Sequence, residues 1–298
     1  MSLGQLRLLK QIIAAGDGSA SLPIEELRRN FDNFLSRFPG LDGLEVEAST
    51  LGGVPVEWLT LPESLTSRTL VYLHGGGFVV GSPQSHRQTA ARLARAARAR
   101  CVLVDYRLAP ESPYPAALDD VLAVWPPLLE AVGSEGVTLA GDSAGAGLAF
   151  LAMVRLRRLG VTLPRAFVAF SPWADYAGTT PSLDAHAELD PVVQRPGLEK
   201  MSKLYLGDAD PWDPEVTPLR ADLTGLPPLL IQAGGAETLL DDARRLADRA
   251  ADFGVDVTLD VWPDMIHVWH LFAARLEEGQ LALDQAGQFL DRQLSRSA

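Results

Sequence analysis

Cysteine is almost absent from this sequence of 298 residues, which has a single one, Cys101. One thiol cannot form an internal disulfide, and this composition is typical of proteins that work in a reducing cytoplasm. Cys101 opens the apolar run CVLVDY, which favours a buried and unreactive thiol. We therefore expect a cytoplasmic protein that folds without disulfides.

Long hydrophobic runs are also missing. No stretch approaches the roughly 18 apolar residues of a membrane span, so we expect no membrane insertion. The N-terminal segment MSLGQLRLLKQIIAAGDG lacks the unbroken apolar centre of a signal peptide. Its leucines and isoleucines recur at helical spacing, which predicts an amphipathic helix of the mature protein.

Basic residues are outnumbered by acidic ones. The 26 lysines and arginines stand against 38 aspartates and glutamates, which makes the formal net charge −12. An acidic surface repels phosphate backbones and anionic lipid heads. We therefore expect no nucleic-acid partner.

Hydrophobic residues make up 47% of the sequence, enough for one large core, and they occur in a regular order of elements. Short apolar runs predict strands over 68–75, 100–107, 136–142, 165–172, 227–235 and 255–263. Longer stretches predict helices over 82–99, 113–125, 143–160, 239–254 and 268–294. Pro126 and Pro127 should stop or kink the second of these helices.

Strands that alternate with helices indicate an α/β fold, with a mostly parallel central sheet and helices on both faces. Upstream, LEVEAST and VPVEWLTLP alternate polar and apolar residues, which predicts an antiparallel pair at the sheet edge. Residues 1–40 and 173–226 contain few strand signals. We assign them to a discontinuous helical cap over the carboxyl edge of the sheet, and residues 41–172 with 227–298 to the main domain.

The sequence VTLAGDSAGAG at 137–147 places Ser143 between a predicted strand and a predicted helix, with glycines two residues to either side. A Gly-rich turn would explain these glycines. The same strand–GxSxG–helix context is also that of a nucleophilic serine on a tight, strained turn.

A second glycine motif, HGGGF at 74–78, also follows a predicted strand. Three consecutive glycines let backbone N–H groups converge on one point, which suits a developing oxyanion. A phosphate-binding loop is the alternative, but no Lys-Ser/Thr pair follows the glycines.

A nucleophilic serine needs a base, and the sequence has five histidines. With a GxSxG nucleophile the chain order is serine, acid, histidine, which removes His74 and His86. His186 falls among polar residues of the predicted cap, which indicates the surface. His267, in the loop PDMIH after a strand, is the predicted base, whereas His270 is predicted to be a packing or surface residue.

The acid should follow the predicted strand PPLLIQAGG. Glu237 stands directly beyond that strand and is the predicted acid. Asp241 and Asp242 fall in the first turns of the next helix, where acidic residues commonly complement the helix dipole. Asp264, three residues before His267, is less well placed to orient the imidazole.

Several motifs together resemble one family. HGGGF, DYRLAPE, YPAALDD, GDSAG, SPW and the Ile-His pair at 266–267 are similar to motifs of the hormone-sensitive-lipase-like family of α/β-hydrolase esterases. The resemblance covers about residues 68–275. It implies an α/β-hydrolase fold with a helical cap, and a serine carboxylesterase that acts on short acyl esters without a cofactor or metal.

The resemblance also implies roles for residues of this chain. Ser143 would be the nucleophile and His267 the base. The oxyanion hole would be built from the N–H groups of Gly75, Gly76, Gly77 and Ala144. Three residues of DYRLAPE would brace the loop near the site, namely Asp105, Arg107 and Glu111.

Two positions depart from the family pattern. Where the family has an aspartate, a leucine and a second acid at steps of two residues, this chain has Glu237, Leu239 and Asp241. The orienting acid is therefore a glutamate, one methylene longer. Ala146 stands where a second glycine often follows GDSAG, and one methyl there should be tolerated in the first turn of the helix.

Fold and triad do not determine the substrate, so a lactonase, a deacetylase or an amidase stays open. A binding protein without catalysis is a further alternative, although all three triad positions are filled here. We expect a small-molecule ester as partner, with Phe78 and Trp173 either lining its pocket or packing in the core. The resemblance also implies that a homodimer, if one forms, pairs through the last strand and helix, in the stretch 255–298.

Overall fold

The computed structural model describes residues 3–15 and 22–295. Residues 1–2 and 16–21 of the predicted cap, and the last three of the chain, lie outside this described part. Its strands are β1 (Glu45–Leu51), β2 (Val54–Thr60), β3 (Leu65–Leu73), β4 (Ala99–Val104), β5 (Val137–Asp142), β6 (Phe167–Phe170), β7 (Leu229–Gly234) and β8 (Val257–Trp262).

The strands form one sheet in the order β1-β2-β4-β3-β5-β6-β7-β8. From β4 to β8 all neighbours are parallel, whereas β1 pairs antiparallel with β2, and β2 with β4. This confirms the predicted mostly parallel α/β sheet and its antiparallel edge pair. The carboxyl ends of the parallel strands all lie at one edge, where such sheets bind ligands.

Helices cover both faces of the sheet. The described helices, on these faces and elsewhere, are α1 (Leu3–Ala15), α2 (Ile24–Leu35), α3 (Pro83–Ala97), α4 (Ala116–Val132), α5 (Ala144–Arg158), α6 (Ser182–Ala185), α7 (Arg195–Leu206), α8 (Leu240–Asp252) and α9 (Glu277–Ser295). On β3, Val71 and Leu73 pack with α4, α5 and α8, while Leu70 and Tyr72 pack with α3 and α9. Among the described residues, no helix has both the length and the apolar character needed to cross a bilayer.

Helix α4 differs from the prediction because it runs through Pro126 and Pro127. A proline removes one N–H donor but its φ is helical, so a buried helix can continue past it. Trp125 is fully buried in the core. The carbonyl of Ala123, whose helical partner would be Pro127, lies against Gly52, where a side chain would collide with it.

The predicted C-terminal helix begins later than expected. Residues Trp269–Phe272 form a short 3-10 helix, and α9 starts at Glu277. Trp269 and Phe272 pack in one cluster with Leu6 and Leu9 of α1. The N-terminal helix is thereby packed against the segment that follows His267.

Candidate active site

Ser143 lies at the turn between β5 and α5, at the carboxyl edge of the sheet. Its φ of 51° lies in the left-handed region that residues other than glycine rarely adopt. A side chain at Gly145 would collide with the backbone carbonyls of Leu73 and His74 at the end of β3. The glycine therefore lets α5 begin close to the neighbouring strand, and the turn is as tight as the motif predicts.

The four oxyanion-hole candidates differ in whether their backbone N–H group already has a hydrogen-bond acceptor. The N–H of Gly75 donates to Oδ1 of Asp142 at 3.0 Å, which holds the glycine loop on the end of β5. The N–H groups of Gly76, Gly77 and Ala144 have no acceptor within the described part of the chain. Three of the four candidates thus have a free donor, while Gly75 anchors the loop.

Asp142, the acid of GDSAG, has partners that the sequence does not reveal. The Tyr72 hydroxyl donates to its Oδ1 at 2.9 Å, and Nε2 of His86 lies 3.4 Å from its Oδ2. Burial acts to raise the pKa of Asp142, but His86 and the Tyr72 hydrogen bond more than offset this and hold it below its ordinary value. An ionised Asp142 therefore anchors the Gly75 loop. Its place in the motif is the only sequence signal for this role.

A second Ser–His–Asp set lies behind the glycine loop. Oγ of Ser85 is 3.0 Å from Nδ1 of His86, whose other nitrogen faces Asp142. The Ser85 hydroxyl donates to the carbonyl of Ser82 at 2.9 Å, and His86 is fully buried. Burial, with the neighbouring His86, lowers the pKa of His74 to about 3. These groups form a buried structural network, which agrees with the prediction that neither His74 nor His86 is the catalytic base.

Glu237 is fully buried in the loop after β7. Its Oε2 accepts hydrogen bonds from the N–H of Gly234 and the Oγ of Ser171, each at 2.7 Å. Its Oε1 lies 3.8 Å from Nδ1 of His267, an ion-pair distance that must shorten by about 1 Å to become a hydrogen bond. The structure thus brings the predicted acid to the predicted base and anchors one of its two oxygens.

His267 is almost completely buried, with 3% of its surface exposed. Burial acts to lower its pKa, but the Glu237 carboxylate outweighs this effect, helped by Asp190 and Asp142. The pKa of His267 therefore lies above its ordinary value. Stabilisation of the imidazolium is what a general base needs once it has taken a proton.

The end of β6 connects Ser143 with the loop of His267. The N–H of Ser143 donates to the carbonyl of Phe170 at 2.9 Å. The next residue, Ser171, accepts the N–H of Val268 at 3.1 Å. The turn of Ser143 and the loop of His267 are therefore held to consecutive residues at the end of β6.

Strained backbone is concentrated at this edge. Phe78, Ser143, Ser171 and Val268 all have φ between 45° and 63°. Each such residue costs about 1–3 kcal/mol and persists only where the surrounding structure holds it. Such a concentration is typical of a functional site.

The other two candidate acids, in the first turn of α8, bind segment 173–226 and not the histidine. Oδ2 of Asp241 accepts the N–H of Ser182 at 2.9 Å. Oδ1 of Asp242 accepts the N–H of Ala174 at 2.9 Å, and burial raises the pKa of Asp242 to about 7. Both aspartates thus fasten this segment to α8, beyond the helix-dipole role that their positions predicted.

The remaining candidate bases and acids, His186, His270 and Asp264, are not part of the predicted acid–base pair. His186, expected at the surface, is half-buried, and its Nδ1 lies 2.9 Å from the carbonyl oxygen of Glu237. Its segment folds over the loop between β7 and α8 that carries Glu237, which we call the acid loop. His270 is fully buried with its ring 4.2 Å from that of Phe170, and burial lowers its pKa to about 3, which confirms a packing role. Asp264 is exposed in a turn.

Phe78 and Trp173 belong to a buried aromatic cluster. The ring of Phe78 stacks on Tyr205 at 3.6 Å between centroids, and Trp173 lies 4.8 Å from Tyr176. Trp173, and not Phe78, lines a cavity of about 440 Å³ between its segment and α7. Both residues therefore belong to the core, and of the two only Trp173 also lines the cavity.

Two of the three expected bracing residues form ion pairs. Arg107 lies 2.7 Å from Asp120, and Glu111 lies 2.7 Å from Arg28 of α2. Asp105, the third, is exposed at the end of β4. The Glu111 pair ties an N-terminal helix to the loop beside the site.

Comparisons with known proteins agree with this geometry. A family model described as an alpha/beta hydrolase fold matches residues 70–271. An acetyl-hydrolase of Streptomyces hygroscopicus is 42% identical, over 97% of this chain and 97% of its own length. An esterase of Acinetobacter venetianus is 34% identical, over 88% of this chain and 87% of its own.

Solved structures show the same similarity over the whole fold. An esterase from the bacterial hormone-sensitive lipase family is 42% identical with a TM-score of 0.95, over 98% of this chain and 99% of that one. An esterase/lipase from an uncultured bacterium is 38% identical with a TM-score of 0.93, at the same coverage.

Proposed function

The chain belongs to the hormone-sensitive-lipase-like family of carboxylesterases in the α/β-hydrolase superfamily, and from this premise we propose that it cleaves short-chain acyl esters through an acyl-enzyme on Ser143. Ester hydrolysis itself follows from the family. The observation that carries the finer proposal is the strained turn at Ser143 beside the buried Glu237–His267 pair.

In the first half-reaction, the Ser143 oxygen attacks the ester carbonyl while His267 takes the hydroxyl proton. The oxyanion accepts hydrogen bonds from the free N–H groups of Gly76, Gly77 and Ala144, each worth about 3 kcal/mol. Glu237 stabilises the imidazolium from the Nδ1 side. The proton then passes from His267 to the ester oxygen, and the alcohol leaves.

In the second half-reaction, water attacks the acyl-enzyme and gives a proton to His267. The second tetrahedral intermediate collapses, the bond to Ser143 breaks, and the serine oxygen recovers its proton from His267. The products are the carboxylic acid and the free enzyme.

A chromogenic ester combined with a serine-reactive organophosphate tests this proposal. The protein should hydrolyse p-nitrophenyl butyrate, and one equivalent of the organophosphate should abolish the activity. Mass spectrometry should place the label on the peptide of Ser143. Full activity after stoichiometric labelling, or a label on Ser85, would contradict an acyl-enzyme on Ser143.

We infer further that residues 1–40 and 173–226 form the cap, and that 41–172 with 227–298 form the catalytic domain. The packing of α1 against the segment after His267 supports this division. Met201 of α7 also supports it, because a side chain at Gly77 would collide with Met201. The cap thus reaches the proposed oxyanion hole.

A cap this close to the oxyanion hole should limit the length of the acyl chain. Met201 touches Gly77, and the neighbouring aromatic cluster around Phe78 is closely packed. Acetyl to hexanoyl esters should therefore be turned over faster than palmitoyl esters, by about 10²-fold in kcat/KM, because a long chain must displace packed side chains.

A panel of p-nitrophenyl esters with one common alcohol measures this preference, at concentrations below micelle formation. Faster turnover of palmitoyl than butyryl esters would contradict it. The same panel addresses a second candidate, a deacetylase selective for acetyl esters, which the relative named acetyl-hydrolase supports. Such an enzyme would favour the acetyl over the butyryl ester.

A further inference from the structure

Ser171 is a buried serine that the proposed mechanism does not use. It lies directly after β6, and its N–H donates to the carbonyl of Gln232 on β7 at 2.7 Å. Its Oγ donates to Oε2 of Glu237 at 2.7 Å and accepts the N–H of Val268 at 3.1 Å. One hydroxyl therefore joins the proposed acid to the residue that follows the proposed base.

The backbone at both ends of this bridge is strained. Ser171 and Val268 each have a φ of 45°, in the left-handed region. Glycine would adopt this φ at position 171 without steric cost, so what serine supplies there is its hydroxyl. The β-branched Val268 is still less suited to this φ, and its hydrogen bond to Ser171 is one contact that holds it.

The bridge selects which oxygen of Glu237 faces the imidazole. Oε2 is occupied by the donors of Ser171 and Gly234. Oε1 has no hydrogen-bond partner in the described part of the molecule and lies 3.8 Å from Nδ1 of His267. A glutamate has one more rotatable bond than the aspartate of the family pattern, so its carboxylate needs more restraint to keep this orientation.

We propose that Ser171 is a positioning residue for ester hydrolysis, which holds the Glu237 carboxylate and the loop of His267 in register through its single hydroxyl. This inference rests on the proposed role of Glu237 as the acid. Within the described part of the chain, Ser171 makes no hydrogen bond to Ser143; it acts through the acid and the base.

Two substitutions of Ser171 separate the hydroxyl from the backbone strain. Ser171→Ala should lower kcat about 10- to 100-fold with a smaller change in KM, because a hydrogen bond to a buried charge is lost and no substrate contact is touched. Ser171→Gly removes the same hydroxyl and relieves the strained φ, so it should fold at least as readily and lose as much kcat. Thermal unfolding monitors the folded state of both variants.

Ser182→Ala is the matched control. Ser182 is also buried, and its Oγ donates to the carbonyl of Thr238 at 2.7 Å, in the same loop as Glu237 but without touching its carboxylate. This variant should lose stability and keep most of its kcat.

The pH profile of kcat/KM is a readout that a purely structural role would not change. The Glu237 carboxylate raises the pKa of His267, so the wild-type enzyme loses activity as the pH falls through that raised pKa. In Ser171→Ala the carboxylate can turn away from the imidazole, and the pKa of His267 falls. The acid limb of the profile, where kcat/KM drops as the pH is lowered, then moves to lower pH. Simple destabilisation would lower the amount of active enzyme without moving the limb.

A double-mutant cycle closes the test. In a Glu237→Gln background, Ser171→Ala should lower kcat little further, because the carboxylate that Ser171 positions is already gone. The inference would be overturned if the kcat losses of the two single variants multiplied in the double variant. It would also be overturned if both Ser171 variants kept the wild-type kcat and the wild-type pH profile. Neither result would affect the role of Glu237. If Glu237→Gln itself stays almost fully active, the acid of the proposed function is wrong and the inference falls with it.

Discussion

Replacing Ser143 with alanine is expected to lower kcat by about 10⁵–10⁶-fold while the protein stays folded. The variant lacks the attacking oxygen, so only the oxyanion donors and substrate binding still contribute. Alanine keeps the Cβ, and the Ser143 side chain makes no capping hydrogen bond to α5 that folding would lose. The measurement is kcat on p-nitrophenyl butyrate, with thermal unfolding to verify the fold.

Ser85→Ala is the control for this experiment. Ser85 lies within hydrogen-bond distance of a histidine, but it belongs to the capping box of α3. Its removal should cost about 1 kcal/mol of stability and leave most of kcat. Substantial activity in folded Ser143→Ala, or an equal loss in Ser85→Ala, would assign the nucleophile elsewhere.

Glu237→Gln is expected to lower kcat by about 10³–10⁴-fold. The neutral amide no longer stabilises the imidazolium of His267 when the base has taken a proton. Because the Glu237 carboxylate also raises the pKa of His267, its loss should move the acid limb of kcat/KM to lower pH. Steady-state kinetics between pH 5 and 9 measure both effects, over the window around the ordinary histidine pKa of about 6.5.

Two variants serve as controls for the acid. Asp241→Asn should lose far less activity, because Oδ2 of Asp241 holds the backbone of Ser182 and not the histidine. Asp242→Asn should behave in the same way, since its carboxylate binds the backbone of Ala174. Glu237→Asp should keep partial activity if the loop shifts by about a methylene. A dead Asp241→Asn beside an active Glu237→Gln would place the acid one helical turn further on.

The features that could be predicted from the sequence depend on residues close together in the chain. Apolar runs between turn residues predicted the strands of the sheet. The glycines around Ser143 predicted its tight turn, because only a residue without a side chain fits against the backbone at position 145. The order serine, acid, histidine, together with the common carboxyl edge of parallel strands, singled out Glu237 and His267 among the candidates.

Other features were decided by packing between segments far apart in the chain. Pro126 and Pro127 predicted that the helix would stop or kink there, and burial of α4 in the core carries the helix on to Val132. His186 looked like a surface residue, and only the folding of its segment over the acid loop brings it to the carbonyl of Glu237. Local sequence patterns do not contain these contacts, since they describe backbone preferences and not tertiary partners.

The three acids after β7 show most clearly which features the sequence predicts and which the tertiary structure decides. From the sequence alone, Glu237 stands directly beyond a predicted strand, whereas Asp241 and Asp242 fall in the first turns of the next helix. In the structure, Glu237 turns inward to Ser171 and His267, while the two aspartates turn to the backbone of segment 173–226. The sequence alone predicted that a serine, an acid and a histidine follow three strands that end at this edge of the sheet. Which buried oxygen faces the imidazole was decided by the tertiary structure, because a buried carboxylate takes the orientation in which its hydrogen bonds are satisfied.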